Sequence, residues 1–547
     1  MRSTMQETPL LISRIMDYGC TVHGDREVVT WTPDGPRRST YADVGADCRR
    51  LANALRSLGV DGDQRVASFL WNNEEHLELY LAVPSMGAVL HTVNIRLFPQ
   101  QIVYVMNHAE DDVVVVDNSL ARPFAALLPE LRTVRHVIVN GPVPDEVASA
   151  LAGTGVAVHD YRTLVDAQDD AFDWPALDER DAAGLCYTSG TTGNPKGVLY
   201  SHRSTYLHAM SLVLPSAFDV HAGDRTLAIV PMFHANGWGM PYGALAGGAS
   251  LIMPDRFLQA EPLLEMISRE RVTGAGAVPT IWADVLRRLD EGPAVDVSSL
   301  RSVVVGGSAC PPALLRAFAE RHGVDVRHAW GMTETSPLGS VAVPPPDVDG
   351  DERWAYRETQ GRLALGVEGR LVGPDGSTLP WDGESVGELQ VRGPWIAGSY
   401  YRDDDPAKFD DGWLRTGDVG TLTHDGFLRL TDRAKDVIKS GGEWISSVEL
   451  ENHLMAHPAI REASVVGVPD DRWGERPLAA VVVEEGACVD VAELRAFLAA
   501  RVASWQVPER WAFVGEVPKT SVGKFDKKVL RARYAAGRLD VTPTPTP

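Results

Sequence analysis

The chain has 547 residues, 44% hydrophobic and 23% charged, a composition typical of a globular protein, and its length predicts two or more domains. The formal net charge is −22, from 52 basic and 74 acidic residues. This balance argues against a protein that binds nucleic acid or anionic membranes as a whole, so an anionic ligand would need a local site.

The cysteines indicate the redox compartment. Five of them are scattered along the chain without metal-ligand spacing: Cys20, Cys48, Cys186, Cys310 and Cys488. This usage favours a reducing compartment, and we expect a cytoplasmic protein. No apolar run of about 18 residues occurs, so integral membrane association is not expected.

Apolar strand-like runs alternate with amphipathic helices along residues 1–432, which predicts an α/β fold with mainly parallel sheets and packed helices. The first clear helix begins after Thr40, repeats apolar residues at spacings of three and four, and ends at Gly59. The strands that we predict in this domain are 65–70, 88–93, 113–117, 226–230, 251–253 and 303–305.

A small α+β domain is predicted over residues 433–535, joined by a hinge in the segment 432–436. Its helices are expected to begin at Ser446 or Ser447, at Asp490 and near Asp526. Its predicted strands are 463–468, 478–483 and 512–517. The proline- and threonine-rich end suggests that residues 536–547 form an extended, flexible tail.

The segment 187–197 contains four Ser or Thr hydroxyls, three glycines and Lys196. Glycines let backbone N–H groups approach a polyphosphate, hydroxyls add donors and the lysine adds charge. The segment is not a Walker A loop, because Gly197 follows the lysine where Ser or Thr is required. The alternative is a polar surface turn, which the length and density of the pattern disfavour.

Together with this loop, further motifs resemble the adenylate-forming superfamily of acyl-CoA synthetases, adenylation domains and luciferases. They follow in the family's order at 231–234, 306–308, 330–334, 415–418, 432–435 and 518–524. The segments 234–238 and 439–446 are most similar to medium- and long-chain fatty acyl-CoA synthetases. The resemblance covers nearly the whole chain and implies ATP, Mg²⁺ and coenzyme A as cofactors. It also implies that residues 1–432 form the domain that binds ATP and the acyl group.

The resemblance also implies residue roles. The catalytic residues would be Lys524, His234, Thr188 and Glu334, with Lys524 bridging carboxylate and phosphate and Glu334 holding Mg²⁺. The nucleotide and CoA contacts would be Thr188, Ser189, Gly190, Thr191, Thr192, Lys196, Gly306, Gly307, Ser308, Trp330, Gly331, Met332, Thr333, Asp418, Arg433, Lys435, Gly441 and Gly442. Of these, Lys435 would be the hinge, and Gly441 and Gly442 would leave a path for pantetheine.

His234 and Trp238 would line the acid pocket, with Trp238 similar to the gate of fatty-acid tunnels. Core packing is the alternative for both rings. One residue departs from the family pattern: Trp330 stands where tyrosine is usual, so a hydrogen bond from a tyrosine hydroxyl is lost. Its ring can still stack on adenine, and core packing is the alternative. For Lys524, the alternative is a solvated lysine in a basic segment.

The resulting hypothesis is an ATP- and Mg²⁺-dependent ligase that activates a carboxylic acid, fatty or otherwise apolar, as acyl-AMP. It would transfer the acyl group to CoA and release AMP and pyrophosphate. Two alternatives stay open: transfer to a non-CoA acceptor, and a catalytically inactive nucleotide-sensing protein. The expected partners are the acid, ATP and CoA, with no nucleic acid, and the resemblance permits a homodimer.

Overall fold

A computed structural model describes residues 1, 3–188, 194–433, 436–440, 443–470, 472–519 and 525–544, without the side chains of 433, 439, 443 and 444. No helix among these residues is long and apolar enough to cross a membrane.

The α-helices of the described residues are α1 Ile12–Val22, α2 Tyr41–Ser57, α3 Glu74–Ser85, α4 Pro99–Ala109, α5 Ala121–Ala125, α6 Asp145–Ala152, α7 Tyr161–Asp166, α8 His202–Leu212, α9 Met240–Gly247, α10 Ala260–Arg269, α11 Pro279–Glu291, α12 Pro312–His322, α13 Gly350–Arg357, α14 Ser447–Met455, α15 Val491–Ala499 and α16 Lys527–Ala535.

The strands are β1 Glu27–Thr30, β2 Arg37–Thr40, β3 Arg65–Phe69, β4 Val89–Thr92, β5 Asp111–Asp117, β6 His136–Asn140, β7 Ala157–Asp160, β8 Ala182–Tyr187, β9 Gly197–Ser201, β10 Arg225–Leu227, β11 Ser250–Met253, β12 Gly274–Ala277, β13 Ser302–Val305, β14 Asp325–Gly331, β15 Leu338–Val341, β16 Gly361–Leu363, β17 Glu368–Val372, β18 Thr378–Leu379, β19 Gly387–Arg392, β20 Phe409–Asp410, β21 Trp413–Leu422, β22 Phe427–Arg433, β23 Ile438–Ser440, β24 Glu443–Ile445, β25 Ile460–Asp470, β26 Gly474–Val483, β27 Arg510–Phe513 and β28 Thr542–Pro543.

Two sheets build the large domain. Within the described residues, seven strands form the first sheet in the order β7-β6-β5-β3-β4-β8-β9, parallel except for the β8–β9 hairpin. In the second sheet of fifteen strands, β1 and β10 to β14 pair in parallel, whereas β14 to β22 continue it with antiparallel pairs. The expectation of mainly parallel sheets therefore holds for the parts that carry βα units, and an antiparallel extension is added.

A helical layer packs between the two sheets. The core around it joins residues of α1, α2, α3 and α9 to residues of β3, β4 and β11. Helix α3 is buried along its whole length, as expected for a helix covered on all sides. The α2 prediction is confirmed: Thr40 caps the helix, with a reciprocal hydrogen bond to Asp43, and Gly59 follows its end with a positive φ of 90°.

The small domain has a sheet of its own, which pairs β25 with β26 and β26 with β27. Ser446 caps α14 and Asp490 caps α15, so both predicted helix starts are confirmed. Strand β22 ends at Arg433 and β23 begins at Ile438. Lys435, predicted to be the hinge residue, lies outside the described residues.

Several predicted boundaries are wrong, among them those of the strands predicted at 463–468 and 478–483, which span Ile460–Asp470 and Gly474–Val483. The strand predicted at 226–230 ends at Leu227, and the strand predicted at 512–517 spans Arg510–Phe513, because the chain bends at 515–516. The segment predicted as a flexible tail contains β28, which pairs antiparallel with β27, and Thr544 N–H donates to Glu509 C=O at 2.9 Å. Part of the tail is therefore docked on the small sheet.

Candidate active site

A cavity of about 430 Å³ opens where β8, β13 and β14 end, which is where ligands bind in open α/β sheets. Its lining includes most of the described candidate residues: Thr188, Lys196, His234, Trp238, Gly306, Gly307, Trp330, Gly331, Met332, Thr333 and Glu334. The fold thus brings together motifs that lie up to 146 residues apart, counting from Thr188 to Glu334. Ser308 follows Gly307 but is not among the lining residues.

The two ends of the predicted phosphate loop are joined to each other. Thr188 N–H donates to Lys196 C=O at 2.8 Å, and Lys196 N–H donates to the Thr188 hydroxyl at 3.1 Å. The β8–β9 hairpin, in which Tyr187 pairs with Gly197, holds both ends in place. Ser189, Gly190, Thr191 and Thr192 lie outside the described residues. The hydrogen bonds nevertheless fix where the loop leaves and re-enters the sheet.

The ammonium group of Lys196 is paired. It donates to Asp405 Oδ2 at 2.7 Å, lies 3.4 Å from Asp403 Oδ2 and stands 4.9 Å above the ring of Tyr400. The hydrogen bond to Asp405 raises the pKa of Lys196, and the same bond lowers the pKa of Asp405. Both groups are therefore charged at neutral pH.

Glu334 is buried in the cavity wall. Its Oε1 accepts a hydrogen bond of 2.6 Å from the hydroxyl of Tyr400, and its backbone C=O accepts from Ala397 N–H at 2.8 Å. Burial, followed by the nearby charge of Glu334, raises the pKa of the Tyr400 phenol, so the phenol stays a donor. A buried, oriented carboxylate beside a phosphate loop is a suitable donor for Mg²⁺.

Trp330 and Asp418 form a buried pair. The indole N–H donates to Asp418 Oδ2 at 2.8 Å, and only 7% of Trp330 and 3% of Asp418 are exposed. On the neighbouring strand β22, Arg433 pairs with Asp418 in the β21–β22 register, although its side chain is outside the described residues. The tryptophan thus supplies a donor to the carboxylate that we expect at the ribose.

Two glycines of the cavity wall are required by backbone geometry. A Cβ at Gly331 would lie 1.8 Å from Pro337 O, which no side chain tolerates. A Cβ at Gly306 would lie 3.0 Å from Ala329 O and 3.1 Å from Cη2 of Trp238. The glycines therefore let the segments of the wall pack closely and leave room for the tryptophan ring.

A left-handed turn follows His234. Ala235, Asn236 and Trp238 have φ values of 38°, 48° and 54°, a conformation that costs L-residues roughly 1–2 kcal/mol each. Gly237 and Gly239 share the positive φ at little cost. Such strain persists only where the surroundings hold it.

A residue that follows β3 and a residue of α3 hold the segment before this turn. The Asn72 side-chain amide donates to the carbonyls of Ala228 and Val230, both at 2.7 Å, and its oxygen accepts from Met232 N–H at 2.8 Å. The buried hydroxyl of Tyr80 donates to Met232 C=O. The segment that carries His234 is therefore fixed on its N-terminal side by Asn72 and Tyr80.

Trp238 separates two cavities. It lines the large cavity and also a second one of about 40 Å³, whose apolar wall includes Phe218, Ile229 and Val230. The lining of the small cavity also includes polar groups, among them the ion pair of Arg301 and Asp224. The ring thus stands between the large cavity and a short, mainly apolar compartment.

Several predicted residues cannot be placed. Lys524, Lys435, Gly441 and Gly442 lie outside the described residues. The basic segment around Lys524 is described in part. Lys527 of this segment has a side chain that is 12% exposed, and its ammonium lies 2.9 Å from Glu451 Oε1. Lys519, in contrast, is 40% exposed and pairs with Glu462.

Sequence reasoning missed four residues of the site: Asn72, Tyr400, Asp405 and Lys408. Asp405 and Lys408 line the large cavity, and Lys408 donates to Thr416 C=O at 3.3 Å. The Asp403-Asp404-Asp405 run looks like a solvated acidic loop in sequence, because nothing local signals its long-range contact with Lys196. A Tyr-Tyr pair before that run was the only available signal.

The sequence matches known proteins over nearly its whole length. The AMP-binding enzyme family matches residues 17–401, and the AMP-binding enzyme C-terminal domain matches residues 449–524. A 3-methylmercaptopropionyl-CoA ligase of Ruegeria pomeroyi is 44% identical over 98% of this chain and 99% of its own. A medium-chain-fatty-acid–CoA ligase of Ectopseudomonas oleovorans is 42% identical over 98% of both chains.

The fold matches solved structures as well. The crystal structure of the anthranilate CoA ligase AuaEII in complex with anthranoyl-AMP superposes with a TM-score of 0.86 at 27% identity. It covers 97% of this chain and 100% of its own.

Proposed function

We propose that this protein activates a short- or medium-chain apolar acid. The chain belongs to the AMP-binding enzyme family and is an AMP-forming acid–thiol ligase. The ligase uses ATP, Mg²⁺ and CoA, as members of this family do. The transfer to a non-CoA acceptor and the inactive-sensor alternative accordingly lose their support.

The two cavities that Trp238 lines are the main support for the proposed acid. Because the carboxylate must reach the α-phosphate in the large cavity, the acyl chain would extend past Trp238 into the small one. That compartment holds about 40 Å³, enough for a few methylene-sized groups, and apolar side chains form much of its lining. A long fatty chain would need Trp238 and its neighbours to move.

The relatives support the same range of acids. One is named for 3-methylmercaptopropionate, a short acid that carries a thioether, and one for medium-chain fatty acids. A thioether sulfur is soft and polarisable and packs in apolar cavities much as a methylene does. We therefore include short thioether acids with the simple aliphatic ones.

The roles that we propose for the residues follow from the adenylation step, in which the carboxylate attacks the α-phosphate of ATP. Two anions, the carboxylate and the α-phosphate, must approach each other, so positioned positive charge is the main requirement. Lys196 and the ends of the phosphate loop would hold the β- and γ-phosphates, and Lys524 would bridge the reacting oxygens. Glu334 would hold Mg²⁺, which would neutralise phosphate charge when bound.

The remaining roles concern orientation and the second step. Gly306 and Gly331 would admit adenine, and Asp418 would accept from the ribose hydroxyls. His234 would border the acyl carbonyl that the thiol attacks. Rotation of the small domain about Lys435 would then withdraw Lys524 and present Gly441 and Gly442 to pantetheine. The five cysteines form no disulfide, which supports a cytoplasmic location.

An acid panel tests the proposal. The protein is incubated with ATP, Mg²⁺, CoA and one of acetate, butyrate, hexanoate, octanoate, palmitate or 3-(methylthio)propionate, and pyrophosphate and thioester are followed together. We expect kcat/KM to peak between butyrate and octanoate, with 3-(methylthio)propionate in the same range. A maximum at palmitate would show that the small cavity does not set the chain length.

A further inference from the structure

The ammonium group that should bind ATP phosphates already has a carboxylate partner in this structure. Lys196 Nζ lies 2.7 Å from Asp405 Oδ2, and Asp405 lines the same cavity. The two side chains are 31% and 30% exposed, so solvent and a ligand reach both of them. The pair therefore stands at the mouth of the phosphate site.

The backbones on both sides of this ion pair are fixed. Lys196 is held by its hydrogen bonds to Thr188, and Tyr401 N–H donates to Gly197 C=O at 2.8 Å. Tyr400, whose ring lies under the ammonium, donates to Glu334. The segment 400–405 consequently contacts both the phosphate-loop lysine and the carboxylate proposed for Mg²⁺.

A carboxylate and a polyphosphate cannot both lie close to one ammonium without repelling each other, most strongly in a cavity that excludes water. ATP carries several negative charges and offers more acceptor oxygens than one carboxylate, so it is the stronger partner. Asp405 has another cation nearby: Lys408 also lines the cavity, and its positive charge lowers the pKa of Asp405. Displacement from Lys196 therefore need not leave Asp405 without a counter-charge.

We propose that Asp405 is a positioning residue that competes with phosphate for Lys196. It holds the ammonium when no nucleotide is bound, yields it to the β- and γ-phosphates of ATP, and takes it back as pyrophosphate leaves. The inference rests on the proposed function, in which Lys196 binds those phosphates. Its consequence is weaker binding of both ATP and pyrophosphate than the lysine alone would give.

Asp405→Asn tests the competition, and Asp404→Asn is the matched control. Asp404 is the exposed neighbour, so its variant makes the same change in net charge without touching the pair. For Asp405→Asn we expect the KM for ATP and the inhibition constant of pyrophosphate to fall about two- to fivefold, the range of partly exposed ion pairs. Asp404→Asn should leave both constants unchanged. Calorimetric titration with pyrophosphate alone measures the same gain without turnover.

A folding defect would not increase affinity, so an increase separates competition from a structural role. A KM for ATP that is unchanged or raised in Asp405→Asn, at the parent melting temperature, would overturn the proposal. The same holds if Asp404→Asn produces an equal gain, because the effect would then be one of overall charge.

Lys196→Ala tests the premise separately. If Lys196 binds phosphate, its loss raises the KM for ATP. Adding Asp405→Asn should then lower this KM by a smaller factor than it does in the parent, because only the direct repulsion between Asp405 and the phosphates is left to relieve. If Lys196→Ala leaves this KM unchanged, the role of Lys196 in the proposed function is wrong, whatever Asp405→Asn does. The choice of acid does not enter, since any acid that the parent enzyme turns over serves for these measurements.

Discussion

Trp330 donates its indole N–H to Asp418 Oδ2 at 2.8 Å, and both side chains are buried. The substitution of tryptophan for the family's usual tyrosine therefore does not leave the site without a donor at this position. The ring carries the hydrogen bond to the carboxylate that we propose for ribose binding. Trp330 is accordingly neither a core residue only nor a stacking platform only.

Trp330→Phe keeps an aromatic ring and removes the donor. Because hydrogen bonds to charged groups contribute about 1.5–3 kcal/mol, we expect the KM for ATP to rise at least about tenfold. The preference for ATP over 2′-deoxyATP should also shrink, since Asp418 would no longer be oriented. Kinetics with both nucleotides check this. An unchanged preference would show that Asp418 keeps its orientation without Trp330.

Lys524→Ala should reduce adenylate formation by at least about 10²-fold, because the small domain would carry this cation to the reacting oxygens. Thioester formation from presynthesised acyl-adenylate should suffer far less. Lys519→Ala is the control, as Lys519 lies in the same motif but pairs with Glu462 at the surface. Equal losses in both half-reactions of a folded Lys524→Ala protein would argue against domain alternation.

Trp238→Ala should join the small cavity to the large one and shift the acyl-length optimum toward longer acids. The ring fits against Gly276 and Gly306, where added Cβ atoms would lie 3.3 and 3.1 Å from it. Gly276→Ala is therefore a companion variant that crowds the ring without removing it. The acid panel measures both. A lower melting temperature with an unchanged acid profile would assign Trp238 to packing alone.

We expect the ionisation of Asp255 to make the free energy of unfolding depend on pH. Burial, followed by the nearby charge of Asp117, raises its pKa from 3.8 to about 7. Between these values the unfolded chain has lost the proton that the folded chain keeps, so the free energy of unfolding falls as pH rises from about 4 to about 7. Asp255→Asn should remove this dependence and stabilise the protein at pH 8 by about 2 kcal/mol, after allowing for partial exposure.

Asparagine suits this position because it tolerates the φ of 50° that Asp255 adopts. Denaturant unfolding of parent and variant at pH 5 and pH 8 provides the measurement. A stability difference that is the same at both pH values would mean that Asp255 ionises normally.

Capping residues and apolar spacing predicted the helices whose ends and faces are stabilised by neighbouring residues in sequence. The cap at Thr40 and the apolar spacing give α2 its start and its buried face. The strand predicted at 226–230 failed for a long-range reason. The carbonyls of Ala228 and Val230 are bonded by the side chain of Asn72, about 156 positions earlier in sequence, so the chain leaves the sheet after Leu227.

The residues of the candidate site likewise fall into two groups, those that local sequence predicts and those that only the tertiary fold brings near. Motif residues such as Lys196 and Glu334 were predictable because their types and spacing carry the chemistry. Their partners Asp405 and Tyr400 were not, since each contact is made by a segment that only the tertiary fold brings near. The Trp330–Asp418 hydrogen bond, across 88 positions of sequence, is of the same kind.

Asn72 follows β3 of one sheet and bonds the chain just beyond β10 of the other, next to the strained turn that presents Trp238. The side of the site that we propose for the acid is thus held by contacts between the two sheets and is not an independent loop. Heat inactivation should therefore be cooperative: substrate recognition and tertiary structure would be lost at one temperature. The turn has no separate melting transition to undergo, because its geometry exists only while both sheets remain assembled.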